Sequence, residues 1–585
     1  MTDGINRASR PLAFADALRA RSADAVHWLE PAAIVLAFAI LAQALEYTST
    51  DVSWMITLSE KMLGGAKPYV DFIEFNPPGS MYLYMPGVYL AKLTGLPPEF
   101  AVAVFGFVAI VGSMTICASI LRSAGLADRL GPIGLALAAA ILALLPSRAF
   151  DQREHLALVA GLPLFAMMIA RVRGARVVAS LQILAGLGGA IMVAIKPHFA
   201  LTIAAVLPYL VWRAGWRAVA ASLEFYVAAL VLLVYALLVV TFFPAYLEVD
   251  APLAWALYAP TREPMLAMLT QSSGFLCWLV LVVYLAVLAR DELTEPAVAV
   301  PALASLGAVI GFLAQGKAWP YQSYPAVALI ALALGFALRG EANISRRLGV
   351  GAVWCVAFVA IERLAPGVAA YAQPVTLAIC VFFLAVGLLS AGSPEWRARA
   401  ARLTVPALAS AIAFAYVWFS HLNDSPRLQA AASRLGAHLK VMAISQDLGV
   451  GFPFTRQIEG VWAQRVPSLW ITSSAQRLLE ESKDPAERAR LESYLRFDRD
   501  TLLQDIAENR PDIILISNRF GEFRRWAFAD PSIAAALAQY RLYAKDGAAS
   551  GETFLYARAD LLEPQLGATA RNAAQSAPPI KTLGD

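Results

Sequence analysis

Apolar positions run in long unbroken stretches, and polar positions gather at their ends. A helix needs about 20 apolar residues to cross a bilayer core. Thirteen stretches read as such helices, near 29–46, 99–121, 131–147, 156–171, 177–195, 199–212, 219–242, 272–289, 297–314, 323–338, 348–362, 373–391 and 403–420. A further apolar stretch, 79–95, carries Pro86 and follows Pro77 and Pro78, which suits a broken helix at the interface better than a span. With 79–95 left out of the count, the charges sort by side. Of the 27 Lys and Arg in residues 1–420, 18 fall in the N-terminus and in the alternate loops 122–130, 171–176, 213–217, 290–296, 339–347 and 392–402. The positive-inside rule then puts the N-terminal segment 1–28 in the cytoplasm and everything beyond 420 outside.

The pattern changes at residue 421. Residues 421–585 hold 20 Lys and Arg against 20 Asp and Glu, a soluble-like balance. Short apolar runs at 439–444, 512–517 and 553–557 predict strands, and 484–496 and 530–540 predict helices between them. A small extracytoplasmic α/β domain over 421–560 follows, with a disordered Ala/Pro/Gln-rich tail at 561–585. Composition narrows the class further. With 59% hydrophobic and 15% charged residues, the chain is far from the soluble average of about 45–50% and about 25%. The expectation is a polytopic α-helical membrane protein, with disorder and a string of soluble domains both excluded. The net charge of +4 comes with no basic run, so no nucleic-acid partner is expected. Cys117, Cys277, Cys355 and Cys380 lie in apolar stretches and read as small buried hydrophobes.

Candidate chemistry clusters on the outer side. The external loop 47–98 holds Asp51 only a few residues after the first span, then the run Gly64-Gly-Ala-Lys67-Pro-Tyr69-Val-Asp71-Phe-Ile-Glu74-Phe-Asn76-Pro-Pro. Trp54, Met55, Leu58, Met62 and Leu63 recur at helical spacing, which predicts an amphipathic interfacial helix over 51–64 with Asp51 as its first residue. Asp51 is thus either a cap or a reactive carboxylate. The short second loop packs Arg148, Asp151, Arg153, Glu154 and His155 into nine positions, costly between apolar helices unless they face water or a ligand. Asp51, Glu154 and His155 could also hold a divalent cation. Lys196 and His198 end the fifth span, and Lys317 and Tyr321 lie between the ninth and tenth. Lysine and arginine there could bind a phosphate. Loop 243–271, with Glu248, Asp250, Tyr258 and Arg262, is long enough to cover a substrate.

The order of these motifs resembles the membrane glycosyltransferases of the GT-C fold, which include protein O-mannosyltransferases and the aminoarabinose transferase of lipid A. The resemblance spans roughly residues 1–340 and rests on the Asp after the first span, the Gly-x-x-Pro-Tyr-x-Asp and Pro-Pro run, and the acidic second loop. It implies a polyprenyl-phosphate-linked sugar donor and an acceptor that is a glycan, lipid or protein. It also implies a bacterial inner-membrane location with the C-terminal domain in the periplasm, and it maps the catalytic carboxylate onto Asp51. The sequence departs from the family pattern at Val52, where an acid is common, and at Asn76, where a Lys often precedes Pro-Pro.

The residues support the same chemistry on their own terms. Transfer from a lipid phosphate needs a base near the acceptor hydroxyl and cations near the leaving phosphate. Asp51 is the expected base, with Glu74, Asp151 and Glu154 as further catalytic acids. Lys67, Tyr69, Asp71, Arg153, His155, Lys196, His198, Lys317 and Tyr321 are the expected substrate contacts. A transporter or flippase of a lipid-linked glycan is the chief alternative, and a ligase of preassembled glycan a second. Transporters place ionisable groups near the bilayer midplane. Here the polar clusters gather at one rim, which favours surface chemistry.

Overall fold

The computed structural model describes residues 29–44, 48–338, 372–392, 394–420, 425–519, 521–547 and 551–562, together with Gly351. The expected cytoplasmic segment 1–28, the span 348–362 apart from Gly351, and the tail from 563 lie outside the described residues. The chain is mainly helical and divides into two compact units that alternate along the sequence. One takes Met1–Tyr47, Pro77–Thr241 and Arg262–His421, the other Thr48–Asn76, Phe242–Thr261 and Leu422–Asp585.

In the first unit, four described helices are long and apolar enough to cross a membrane: Pro98–Ser123, Arg153–Val172, Leu223–Phe242 and Pro296–Gln315. A fifth span results if Met265–Gln271 and Ser273–Val287, bent by 68° at their junction, count as one. The expected thirteen are not reached among the described residues, because several apolar stretches are interrupted. The 131–147 stretch kinks at Gly131, whose φ is 39°, and widens into a π-turn at Ala140–Leu144. The 199–212 stretch splits into Ala200–Ala204 and Leu207–Ala214, with Pro208 starting the second piece. The 79–95 stretch is broken as its prolines suggest, into Gly79–Tyr82 and Met85–Thr94.

Arg153–Val172 is the most deeply buried of the four candidate spans. Ala179–Ile195 packs along it through small residues: a Cβ on Gly188 would strike the Ala160 carbonyl, and one on Gly161 would strike the Met192 sulfur. Such small-residue contacts let helix backbones approach where lipid offers no hydrophobic drive.

The second unit is built around a five-stranded sheet of order β2-β1-β3-β5-β4. Its strands are β1 (Lys440–Ile444), β2 (Val461–Trp462), β3 (Ile513–Ser517), β4 (Tyr540–Asp546) and β5 (Thr553–Arg558). β2, β1 and β3 run parallel, and β5 pairs antiparallel with both β3 and β4. β1 and β3 are apolar almost throughout, as strands covered on both faces require. Helices Trp470–Glu481 and Pro485–Asn509 connect β2 to β3.

Two distant segments belong to this unit. The helix Thr50–Leu63 is buried continuously from Val52 to Ser59, so it is a core element rather than a one-faced amphipathic helix. Thr50 donates to the Phe452 carbonyl at 3.1 Å, Trp54 packs on the Phe452 ring, and Glu60 pairs with Arg456 at 2.7 Å. From the second segment, Leu253 and Leu257 pack with Ile471, Ala475 and Leu491.

Candidate functional site

In the second unit, Asp51 lies in the first turn of Thr50–Leu63, half-buried. It is not the cap: Ser49 holds that position, and its hydroxyl accepts the Val52 N–H at 3.5 Å. Asp51 and Trp54 are three residues apart and so share a helix face. The Trp54 indole N–H donates to Glu74 Oε2 at 2.7 Å. Glu74 Oε1 accepts the backbone and side-chain N–H groups of Asn76, and the Glu74 N–H donates to Asp250 Oδ1 at 3.1 Å. Both oxygens of Glu74 are therefore engaged and the residue is 2% exposed, which makes it an organiser of the loop instead of the expected catalytic acid. Asp250 is 1% exposed, its Oδ2 has no hydrogen-bond partner, and burial pushes its carboxyl up to about 7.

Tyr69, held at a left-handed φ of 64°, donates to the Asn76 carbonyl at 2.6 Å and packs at a tilt against Tyr246, with ring centres 4.9 Å apart. Asp71 Oδ2 accepts the Lys67 backbone N–H at 2.7 Å, so Asp71 closes an exposed turn. Lys67 is itself exposed.

In the first unit, the second loop is a buried knot. Ser147, Arg148, Asp151, Gln152, Arg153, Glu154 and His155 are all at most 8% exposed. Ser147 and Asp151 turn the chain at φ 47° and 59°. Tyr84 donates its hydroxyl to the Asp151 carbonyl at 2.7 Å, and the Asp151 N–H donates to His155 Nδ1 at 3.0 Å. That bond leaves the proton on Nε2, which donates to the Leu142 carbonyl at 2.8 Å. With both ring nitrogens used, His155 is a brace; neither metal ligation nor a phosphate contact remains open to it. The Asp151 carboxyl sits against Gly106, where a Cβ would collide with it. Its Oδ1 has no hydrogen-bond partner, and burial holds the carboxyl well above the usual range. Asp151, expected as a catalytic acid, is thus a buried carboxyl whose burial disfavours the charged form.

Glu154 and Lys196 form an ion pair at 2.6 Å, Glu154 being 1% exposed. The lysine ammonium lies 5.7 Å from the centre of the Tyr321 ring. Three of the expected contacts, Lys196, His198 and Tyr321, thus gather with Glu154 around one corner. Gln315 joins them: its Nε2 donates to the Gly311 carbonyl and to His198 Nε2, while its Oε1 accepts from Gln322 at 3.0 Å. The amide orientation is thereby set. Burial, with the Lys196 cation beside it, lowers His198 to about 4 against the pull of Glu154. The ring is neutral near pH 7, accepts at Nε2 and keeps a proton on Nδ1. Arg153 is 3% exposed, and Lys317 is half-buried in the loop before Pro320–Ser323.

Among the described residues, no three His, Cys, Asp or Glu side chains converge to hold a metal ion. Of the expected ligands, His155 has no lone pair to give and Glu154 Oε1 is taken by Lys196, while Glu154 Oε2 has no hydrogen-bond partner. The sequence places Asp250 only in the loop able to cover a substrate, and it passes over Gln315 and Gln322 as site residues. Asp250 carried a readable signal, an acid among the apolar residues of 249–257. The two glutamines carried none, since an amide at a helix end is commonplace.

No family model and no curated protein matches the chain. Among solved structures it is similar to ArnT from Cupriavidus metallidurans bound to undecaprenyl phosphate, with TM-score 0.53 and 14% identity over 92% of this chain and 99% of that one. The same ArnT in the apo state gives TM-score 0.53 and 15% identity over 93% and 99%. The archaeal oligosaccharyltransferase AglB from Archaeoglobus fulgidus, in complex with an inhibitory peptide and a dolichol-phosphate, gives 0.40 and 13% over 91% and 75%. At such identity the likeness to ArnT is one of fold: this chain has the GT-C fold that its motifs resemble.

Proposed function

We propose that the protein is an integral-membrane glycosyltransferase that moves a sugar from a polyprenyl-phosphate donor to a hydroxyl of a cell-envelope acceptor. The observation that carries this reading is the fold shared, over almost the whole length of both chains, with an ArnT solved holding undecaprenyl phosphate. The reading includes thirteen crossings of a bacterial inner membrane, a cytoplasmic N-terminus and a periplasmic second unit.

The chemistry assigns one role to each residue type. Asp51 takes the proton of the acceptor hydroxyl as its oxygen attacks the anomeric carbon. The bond from that carbon to the phosphate oxygen breaks on the opposite face, and the configuration inverts. A positioned base of this kind is worth about 10²–10⁴-fold in rate. Lys196, with Arg153 and Lys317, meets the negative charge that grows on the departing phosphate. Glu154 holds the Lys196 ammonium in place, and the neutral His198 offers its Nδ1–H to the same oxygens.

The test is Asp51→Asn in proteoliposomes carrying a labelled polyprenyl-phosphate sugar. Transfer is expected to fall by at least about 10²-fold, with folding and membrane insertion retained. Normal turnover in the variant would remove Asp51 from the base role. Lipid flux without sugar transfer in the native protein would replace the enzyme by a transporter.

A further inference from the structure

A second polar region lies at the far end of the same helices. The helix Arg153–Val172 begins beside Glu154 and ends at Arg173, so its two ends are separated by roughly 30 Å at about 1.5 Å per residue. At that far end a cavity of about 520 Å³ opens, bounded by Ala124 after the helix Pro98–Ser123, by Arg173, by Arg213 on Leu207–Ala214, and by Pro296 at the start of Pro296–Gln315. That volume suits a small ligand group. Three of these four helices are long and apolar enough to cross a membrane, so their meeting ends fall at headgroup depth. Trp212 and Trp216, 75% and 65% exposed, stand on either side of Arg213 in sequence, as the aromatic belt of a membrane interface does.

The charges that line the cavity sort into pairs with a remainder. Arg129 pairs with Glu292 at 2.8 Å and Arg173 with Glu295 at 2.7 Å. Arg213 and Asp291 are left over, each without an oppositely charged partner among the described residues. Arg213 donates to the Thr294 carbonyl at 3.1 Å and the Tyr209 hydroxyl at 3.2 Å, and its guanidinium lies over the Tyr209 and Trp212 rings at 5.6 and 5.7 Å. A purely anionic ligand would meet Asp291, and a purely cationic one would meet Arg213. A zwitterion satisfies both. No aromatic side chain lines the cavity, so a quaternary ammonium would lack the cage it needs, whereas a primary ammonium can donate directly to a carboxylate.

We propose that this cavity binds the headgroup of phosphatidylethanolamine, with its phosphate on Arg213 and its ammonium on Asp291. The site is separate from the residues assigned to sugar transfer and does not depend on that assignment.

The experiment uses the full chain in nanodiscs of equal phosphatidylethanolamine, phosphatidylcholine and phosphatidylglycerol, followed by native mass spectrometry of the released protein. One phosphatidylethanolamine per chain is expected to stay bound in preference to the other two. Arg213→Gln and Asp291→Asn should each lower that retention at least about fivefold, the weight of one charge near the headgroups. Asp291→Asn should also shift the preference toward phosphatidylglycerol. Neither residue belongs to an ion pair, so an unchanged Tm confirms that folding is intact. Equal retention of all three lipids in the native protein and both variants overturns the proposal, and so does native retention of phosphatidylglycerol over phosphatidylethanolamine. If soluble O-phosphoethanolamine raises the Tm in detergent while the lipid is not retained, the site belongs to a free zwitterion and the lipid assignment falls.

Discussion

The two units bury carboxylates by different means. In the first, Glu154 and Glu224, 1% and 0% exposed, are each matched by a cation, Lys196 at 2.6 Å and Arg171 at 2.9 Å, with Asp151, whose Oδ1 has no hydrogen-bond partner, as the exception. In the second, Glu74, Asp250 and Asp498 are as deeply buried but are held mainly by neutral donors. The Trp54 indole and Asn76 serve Glu74, the Glu74 N–H serves Asp250, and the backbone and hydroxyl of Thr472 serve Asp498. Asp505, which takes Arg465 at 2.7 Å, is the exception there. Position in the helix does not account for the contrast: Glu154 and Glu224 both lie in the first turn of their helices and still take cations, whereas Asp498 is served by the N–H and hydroxyl of Thr472 in the first turn of Trp470–Glu481.

The contrast can be broken from either side. Lys196→Met should have the largest effect, because it strands the Glu154 charge in a buried place, at a cost of about 3–5 kcal/mol. Thermal unfolding in detergent checks it, and adding Glu154→Gln should recover much of the loss. A variant as stable as the native chain would mean that Glu154 is not ionised. Trp54→Phe keeps the ring but removes one donor from a buried carboxylate, for an expected loss of about 1.5–3 kcal/mol. Proteolysis of the Thr50–Leu63 segment should accelerate in step.

Asp250 tests the pH sense of the second unit. Its carboxyl rises to about 7 from the usual 3.8, so the folded state holds the proton more tightly than the unfolded one. Its contribution is present at low pH and is lost as pH climbs toward 7, at up to about 1.4 kcal/mol for each pH unit crossed. Stability curves of the native chain and Asp250→Asn between pH 4 and 8 should therefore diverge, with the variant flatter. Parallel curves would show an ionised Asp250. Asp151→Asn should matter least. The amide keeps the shape of the carboxyl it replaces without the charge that burial disfavours, and the unfolding free energy should move by no more than about 0.5 kcal/mol.

Much of this architecture could be read from the chain, but unevenly. The apolar runs marked β1, β3 and β5 to within a residue or so, because such strands carry their own hydrophobic signal. β2 is two residues long and has no pattern to read. The polar corner was legible as a set of scarce charges at helix ends, and Lys196, His198 and Tyr321 do come together with Glu154. Roles within it were not legible. Whether His155 faces a ligand or braces a turn depends on the Leu142 carbonyl and the Asp151 N–H, and no spacing rule reports a backbone partner. Membership of Thr50–Leu63 in the second unit was equally hidden, since its partners lie some 400 positions away, as with Thr50 and Phe452.

That separation bears on how the protein is made. Val52–Ser59 leaves the ribosome long before Phe452 and Arg456, and the Leu253–Leu257 turn long before Ile471. Contacts of such high sequence separation form late and leave apolar surface waiting in the meantime. The segment that carries Asp51 therefore settles only after the residues near 452–456 have been made, and a chain stopped before residue 440 would carry Asp51 without the core that shapes its helix.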